Sequence, residues 1–213
     1  MKLHTIVFDL DGTLIDSGHL MESAFNYALS IYNMQVTVEE LETMRSLTSA
    51  ELFRDRLDET KAKVAVKRLW DYSHRSITDT LLIEGIKPIL EQLKNKKITM
   101  GIWTGRDRAS ALRIIKHHKI DHFFKALVGG CEVSKNKPSP EGLLLLAQQL
   151  NVSLSSLMHV GDHDHDVLGA MAAGVKCALV GWCSSKLVQQ PTQRAHFNFN
   201  SVDDFSQWIE QFK

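Results

Sequence analysis

Short apolar runs separated by amphipathic stretches organise this chain. The runs at His4–Leu10, Ile98–Thr104, Ala126–Gly129, Met158–Gly161 and Lys176–Val180 are nearly continuous rather than alternating, which suits strands buried on both faces. Between the later runs the spacing turns helical. Ala109–Lys119 follows Thr104-Gly105-Arg106-Asp107. Pro140–Leu150 opens behind a Ser139 N-cap with Pro140 at the first helical position, and Asp166–Ala173 stops at Gly174, which suits a C-cap. Strands that alternate with helices predict an α/β fold, a doubly wound parallel sheet with helices on both faces. The tail, Ala195–Lys213, reads as a last short strand and a helix whose Phe205, Trp208, Ile209 and Phe212 close the core edge.

Residues 17–84 interrupt the alternation with helical patterns and no convincing strand: His19–Tyr32, Val38–Arg45, Ala50–Leu57 and Lys61–Leu81. Thr37 ahead of Val38-Glu39-Glu40 gives a capping-box signal. An all-helical block inserted directly after the first strand reads either as a mobile cap over a site or as an extension packed permanently on the sheet. The first reading divides the chain into a core, residues 1–16 and 85–213, and a helical cap domain, residues 17–84, with Gly18 as a hinge point.

Bulk properties narrow the possibilities. The 213 residues carry 25 Lys and Arg against 25 Asp and Glu, so the net charge is zero and no basic excess marks a nucleic-acid partner. No apolar run reaches the length of a membrane span, so no membrane partner is expected. Met1-Lys2-Leu3-His4 leads straight into the first strand, leaving no room for a signal peptide, and a cytoplasmic location is expected. Cys131, Cys177 and Cys183 are odd in number and form no Cys-x-x-Cys pair, which fits free thiols. A monomer or a dimer is expected.

The chemistry sits at the ends of the apolar runs. Asp9-Leu10-Asp11-Gly12-Thr13 closes the first run with two acids two residues apart, which project together from an extended end. Gly12 lets the chain turn away at once. Two such carboxylates repel each other unless a cation or a shared proton settles them. Three further signals follow: Thr104-Gly105, Lys137-Pro138-Ser139-Pro140-Glu141, and Gly161-Asp162-His163-Asp164-His165-Asp166 ahead of Ala172-Ala173-Gly174.

These four motifs, in this order and spacing, resemble the haloacid dehalogenase superfamily, in particular its phosphoglycolate-phosphatase-like members with a helical cap after the first strand. The resemblance covers essentially the whole chain. It implies a Rossmann-like core, hydrolysis of a small phosphorylated metabolite and an aspartyl-phosphate intermediate. Asp9 takes the role of nucleophile and Asp11 that of general acid, then base. Mg²⁺ is the implied cofactor, held by Asp9, the backbone carbonyl of Asp11, and Asp162; it suits an all-oxygen site. Asp166 either joins the ligands, stands behind them or caps a helix. Thr104 and the Gly105 amide bind phosphoryl oxygens, and Lys137 neutralises the phosphoryl group and Asp9. The Lys-Pro-x-Pro pattern favours Lys137 over Lys135, which becomes a surface charge.

Two positions depart from the family pattern. His163 stands where a serine is common, so it reaches the phosphate, backs the metal site or caps the following helix; a zinc reading of the His-Asp alternation is discounted. Arg106 stands in place of the asparagine-lysine pair of phosphoglycolate-phosphatase relatives, and either binds a second anionic group of the substrate or pairs with Asp107. In the cap, Arg45 falls where relatives place a substrate loop and is a candidate contact to an anionic substrate. The acid at position 11 fits phosphoryl chemistry and not dehalogenation. A sugar-phosphate mutase of the β-phosphoglucomutase type is the alternative, weakened because Met21 stands where such mutases place a histidine, with His19 two residues away. A non-catalytic protein that keeps the fold is the remaining alternative.

Overall fold

The computed structural model describes residues 3–43, 49–183 and 195–212. The chain divides into two compact units, one built from the first strand and the segments after Leu81, the other from Ser17–Thr80.

In the first unit, β1 (Thr5–Phe8) runs into a turn and the two-residue strand β2 (Ile15–Asp16). The second unit then supplies α1 (Gly18–Leu29), α2 (Val38–Thr43), α3 (Ser49–Arg56) and α4 (Glu59–Arg75). Back in the first unit, β3 (Leu81–Leu82) pairs antiparallel with β2, and α5 (Ile86–Asn95) follows. From there β4 (Thr99–Trp103), α6 (Arg108–His117), β5 (Ala126–Val128), α7 (Glu141–Leu150), β6 (Leu157–Gly161), α8 (Asp164–Ala172), β7 (Lys176–Val180), β8 (Phe197–Phe199) and α9 (Val202–Glu210) complete the chain.

The main sheet has the order β5-β4-β1-β6-β7-β8, and every pairing in it is parallel. This is the expected doubly wound α/β fold. All but the edge strand β8 are largely buried runs, as their near-continuous apolar sequence requires. Caps set the helix entries. Asp107 accepts from Ser110 N–H at 2.9 Å to open α6, and Ser201 accepts from Asp204 N–H at 3.1 Å to open α9. Before α7, Pro140 is already helical and Ser139 Oγ accepts from Glu141 N–H at 3.4 Å. On the edge, Trp208 packs against Phe199, Phe205 and Phe212.

The structure corrects one reading and adds one element. The helix expected over Lys61–Leu81 ends at Arg75, followed by a tight turn, Ser76–Asp79, in which Thr80 Oγ1 donates to Ile77 O at 2.8 Å. The chain is thereby released to form β3, so the stretch up to residue 84 does contain a strand. The added element is α5. Ile86, Ile89, Leu90 and Leu93 have helical spacing and are all buried, and Pro88 lies in the first turn, where its missing N–H costs nothing.

The helical unit has its own apolar core, in which Phe25, Ala28, Leu29, Leu52, Phe53 and Ala65 are buried together. The three cysteines are free thiols. Among the described residues, no helix is long and apolar enough to cross a membrane.

Candidate active site

Because β1 lies between β4 and β6, its carboxyl end is the switch point of the sheet, where open α/β folds leave a crevice for ligands. Asp9 and Asp11 follow β1, Thr104 follows β4, Lys137 lies in the loop after β5, and Asp162 follows β6. Asp9 N–H donates to Val160 O at 2.8 Å, holding the first acid against the strand that carries Asp162.

One carboxylate oxygen from each of Asp9, Asp162 and Asp166 lies within 4.8 Å of the others. Two glycines make this crowding possible. A β-carbon on Gly12 would come within 2.2 Å of Asp162 Oδ2, and one on Gly161 within 2.3 Å of Asp166 Cγ. Gly12 also holds φ at +76°, a value that other residues rarely adopt.

Lys137 ties the acids together. Its Nζ donates to Asp9 Oδ1 at 2.7 Å and to Asp166 Oδ1 at 2.5 Å, and the ammonium lies 4.6 Å from the centre of the Trp103 ring. Burial is the largest influence on Asp9, and the Lys137 charge opposes it. With Asp166 and Asp11 adding repulsion, the Asp9 carboxyl is raised from 3.8 to about 7. Burial pushes Asp166 up as well, but Lys137 and the hydrogen bond from His159 outweigh it and hold Asp166 well below the usual carboxylate range. Two acids joined to one ammonium are thus driven apart in proton affinity.

Thr104 is buried at the end of β4. Its N–H donates to Val128 O at 3.1 Å and its Oγ1 accepts from Arg106 N–H at 3.2 Å, which leaves the hydroxyl hydrogen as a donor. Gly105 adjoins it. Arg106 takes Asp11, not Asp107, as its hydrogen-bonded partner. Its Nε and Nη2 donate to Asp11 Oδ2 and Oδ1 at 2.7 and 2.6 Å, a bidentate fork that joins positions 95 residues apart. Asp107 serves as the α6 cap instead. The geometry explains the choice, since a planar guanidinium matches both oxygens of one carboxylate.

Among the alternatives for His163, the structure shows the cap. Its Nδ1 accepts from His165 N–H at 3.1 Å, while its own N–H donates to Asp166 Oδ2 at 3.1 Å. Asp166 therefore both closes this capping box and pairs with Lys137. Lys135 is exposed, as expected. Arg45 lies outside the described residues. In the helical unit His19 Nε2 is 3.1 Å from the Asp79 carbonyl oxygen, and Met21 is exposed.

Sequence reasoning missed His159. It occupies the middle of β6, is completely buried, and places Nδ1 3.0 Å from Val7 O and Nε2 3.0 Å from Asp166 Oδ1. Burial lowers its pKa, against the hydrogen bond to Asp166. A histidine inside an otherwise apolar strand is the signal that could have found it, because a buried polar ring is costly without partners.

The donor set fits a hard divalent cation. Asp9, Asp11, Asp162 and Asp166 face two permanent cations, Lys137 and Arg106, so the fully ionised cluster carries an excess of two negative charges, and its donors are all oxygen.

Residues 6–180 match the family model described as haloacid dehalogenase-like hydrolase. A Bacillus cereus protein named pyrophosphatase PpaX is 31% identical over 208 residues, which span 96% of this chain and 95% of that one. The structure of CbbY from Rhodobacter sphaeroides in complex with phosphate superposes with a TM-score of 0.77 at 18% identity, covering 95% of this chain and 96% of that one. A subfamily IA hydrolase of the same superfamily from Geobacter sulfurreducens gives 0.74 at 19% identity, covering 98% and 97%. At these identities the two structures show a shared fold.

Proposed function

We propose that this chain, which belongs to the haloacid dehalogenase-like hydrolases, is a Mg²⁺-dependent phosphatase that acts on a small phosphorylated metabolite. One observation carries the reading: a buried carboxylate, Asp9, sits at the switch point under a single ammonium, with a second acid two residues on and a buried hydroxyl donor on the adjacent strand.

In this reading Asp9 attacks phosphorus, forming an aspartyl-phosphate as the bond to the leaving oxygen breaks. Asp11 gives that oxygen a proton and later takes one from the water that releases phosphate. Thr104, the Gly105 amide and Lys137 hold the charge that spreads over the phosphoryl oxygens. Asp9, Asp162 and the Asp11 carbonyl would hold Mg²⁺, with Asp166 anchoring Lys137 behind them; the ion supplies charge screening between two anions that must approach. The unit Ser17–Thr80 is read as the substrate-selecting cap. Because the Bacillus relative is named a pyrophosphatase, inorganic diphosphate belongs beside phosphate monoesters in the substrate panel.

The test is phosphate release from an aryl phosphate and from this panel, with and without Mg²⁺. Failure to release phosphate from every substrate overturns the proposal. Binding is expected to register separately as a thermal shift. At a hundred times its dissociation constant, Mg²⁺ adds about 2.7 kcal/mol, or roughly 5–10 °C in Tm for a chain of this size. Asp162→Asn should remove most of that shift.

The Arg106 fork yields a further expectation. A proton donor is needed by poor leaving groups and not by nitrophenolate. If Arg106 aims Asp11, Arg106→Ala should slow alkyl phosphates by about 10- to 100-fold while p-nitrophenyl phosphate changes by less than about 5-fold. Equal losses on both substrates would show that Arg106 acts elsewhere.

A further inference from the structure

The contacts of His159 form a closed circuit. Starting on β1, Val7 O meets His159 Nδ1 at 3.0 Å; Nε2 meets Asp166 Oδ1 at 3.0 Å; the same oxygen takes Lys137 Nζ at 2.5 Å; and Nζ reaches Asp9 Oδ1 at 2.7 Å, two residues beyond Val7. Every member is buried or nearly so, with side-chain exposures of 0% for His159, 4% for Asp166, 10% for Lys137 and 11% for Asp9. Trp103 backs the circuit, with its ring 4.9 Å from the imidazole and 4.6 Å from the ammonium.

We infer that His159 is a positioning residue: its Nε2–H fixes the Asp166 carboxylate, and through it the Lys137 ammonium, over Asp9. The inference rests on the reading of Asp9 and Lys137 as phosphoryl-transfer groups. His159 is enclosed in the sheet, with its two ring nitrogens already placed on Val7 and Asp166, so its effect is transmitted. Both of its neighbours accept, and a neutral imidazole carries a single ring N–H; placed on Nε2 it faces the carboxylate, the stronger acceptor. Asp166 Oδ2 is already held by His163 N–H at 3.1 Å. Holding Oδ1 from the far side leaves the carboxylate one orientation in which to present that oxygen to Lys137. Without the imidazole the carboxylate can pivot about Oδ2 and carry the ammonium off Asp9.

Three substitutions separate this role from mere packing. His159→Gln offers an amide N–H near the place of Nε2, and His159→Asn offers one near the place of Nδ1. His159→Phe fills the space with neither. The Gln variant should keep kcat for an aryl phosphate within about 3-fold of wild type, whereas Asn and Phe should each lose about 10- to 100-fold, the scale expected for a misplaced catalytic group. Tm should fall by similar amounts in Asn and Gln. Equal kcat in Asn and Gln, or losses that simply follow Tm across the three, would overturn the inference. A readout independent of turnover is the Lys137 Nζ to Asp9 distance in crystal structures of the Asn and Gln variants. It should exceed hydrogen-bond range in Asn and stay within it in Gln; an unmoved ammonium in Asn overturns the inference even if the wild type proves not to be a phosphatase. Should the Phe variant fail to fold, the Asn and Gln pair still decides.

Discussion

Asp9→Asn is expected to abolish turnover, by at least about 1,000-fold, while making the metal-free protein more stable at alkaline pH. The two effects share one origin. Burial and the neighbouring acids raise the Asp9 carboxyl to about 7, whereas in the unfolded chain it titrates near 3.8. Between these values the folded state holds a proton that the unfolded state has lost. Stability therefore falls as pH rises through that window, with a slope of up to about 1.4 kcal/mol per pH unit. Above it the deficit stays constant; below about pH 4 it vanishes. An uncharged amide of the same shape escapes this loss. Thermal melts of both proteins in a chelator should coincide near pH 4 and diverge towards pH 8, with the Asn variant melting higher. Superimposable curves at pH 8 would mean that Asp9 is not destabilised by its surroundings.

Lys137→Met should cost both activity and stability. It removes the charge that two buried carboxylates share and leaves a chain of similar length in place. Breaking a buried ion pair from one side typically costs about 3–5 kcal/mol, because the partner's charge is left uncompensated. Here Asp166 loses the main influence that keeps it ionised, and Asp9 loses the nearby ammonium that opposes its burial. A Tm lower by roughly 10 °C at neutral pH, together with a loss of at least about 1,000-fold in kcat/KM, is expected. Combining the substitution with Asp9→Asn should recover part of the stability and none of the activity. Additive stability changes in that double-mutant cycle would show that the two side chains are not energetically coupled.

What the sequence reveals of this site follows from how local each feature is. Asp9 and Asp11 are legible because a strand end and a glycine adjoin them; Thr104, Lys137 and Asp162 are legible because each carries its own short motif at the end of an apolar run. The sheet is legible for the same reason, since a buried parallel strand writes its burial into consecutive residues. The Arg106 fork is not local. Asp107 lies one residue away and competes as the obvious partner, but Ser110 claims it as a cap, and the guanidinium turns to a carboxylate beyond the end of β1. His159 hides differently: inside an apolar run it reads as one tolerated polar residue, and its partners become visible only once β1 pairs beside β6 and α8 turns back over the strand end. The end of α4 is hidden because its apolar spacing continues past Arg75, whereas the pairing of Leu81 and Leu82 with Asp16 and Ile15 takes those residues out of the helix.

The placement of β1 has a consequence for synthesis. β1 is made before both of the strands that flank it in the sheet, β4, ending at Trp103, and β6, ending at Gly161. A nascent chain therefore carries Thr5–Phe8 with both edges bare until Trp103 has been made, and with one edge bare until Gly161 has. Such an apolar edge is a template for pairing with other chains. The helical segment Ser17–Thr80, with its own core, emerges and can settle during this interval, while the catalytic crevice waits for β6. A ribosome stalled before Leu157 would thus display a folded helical unit tethered to an unfinished sheet, the species that a holding chaperone would be expected to recognise.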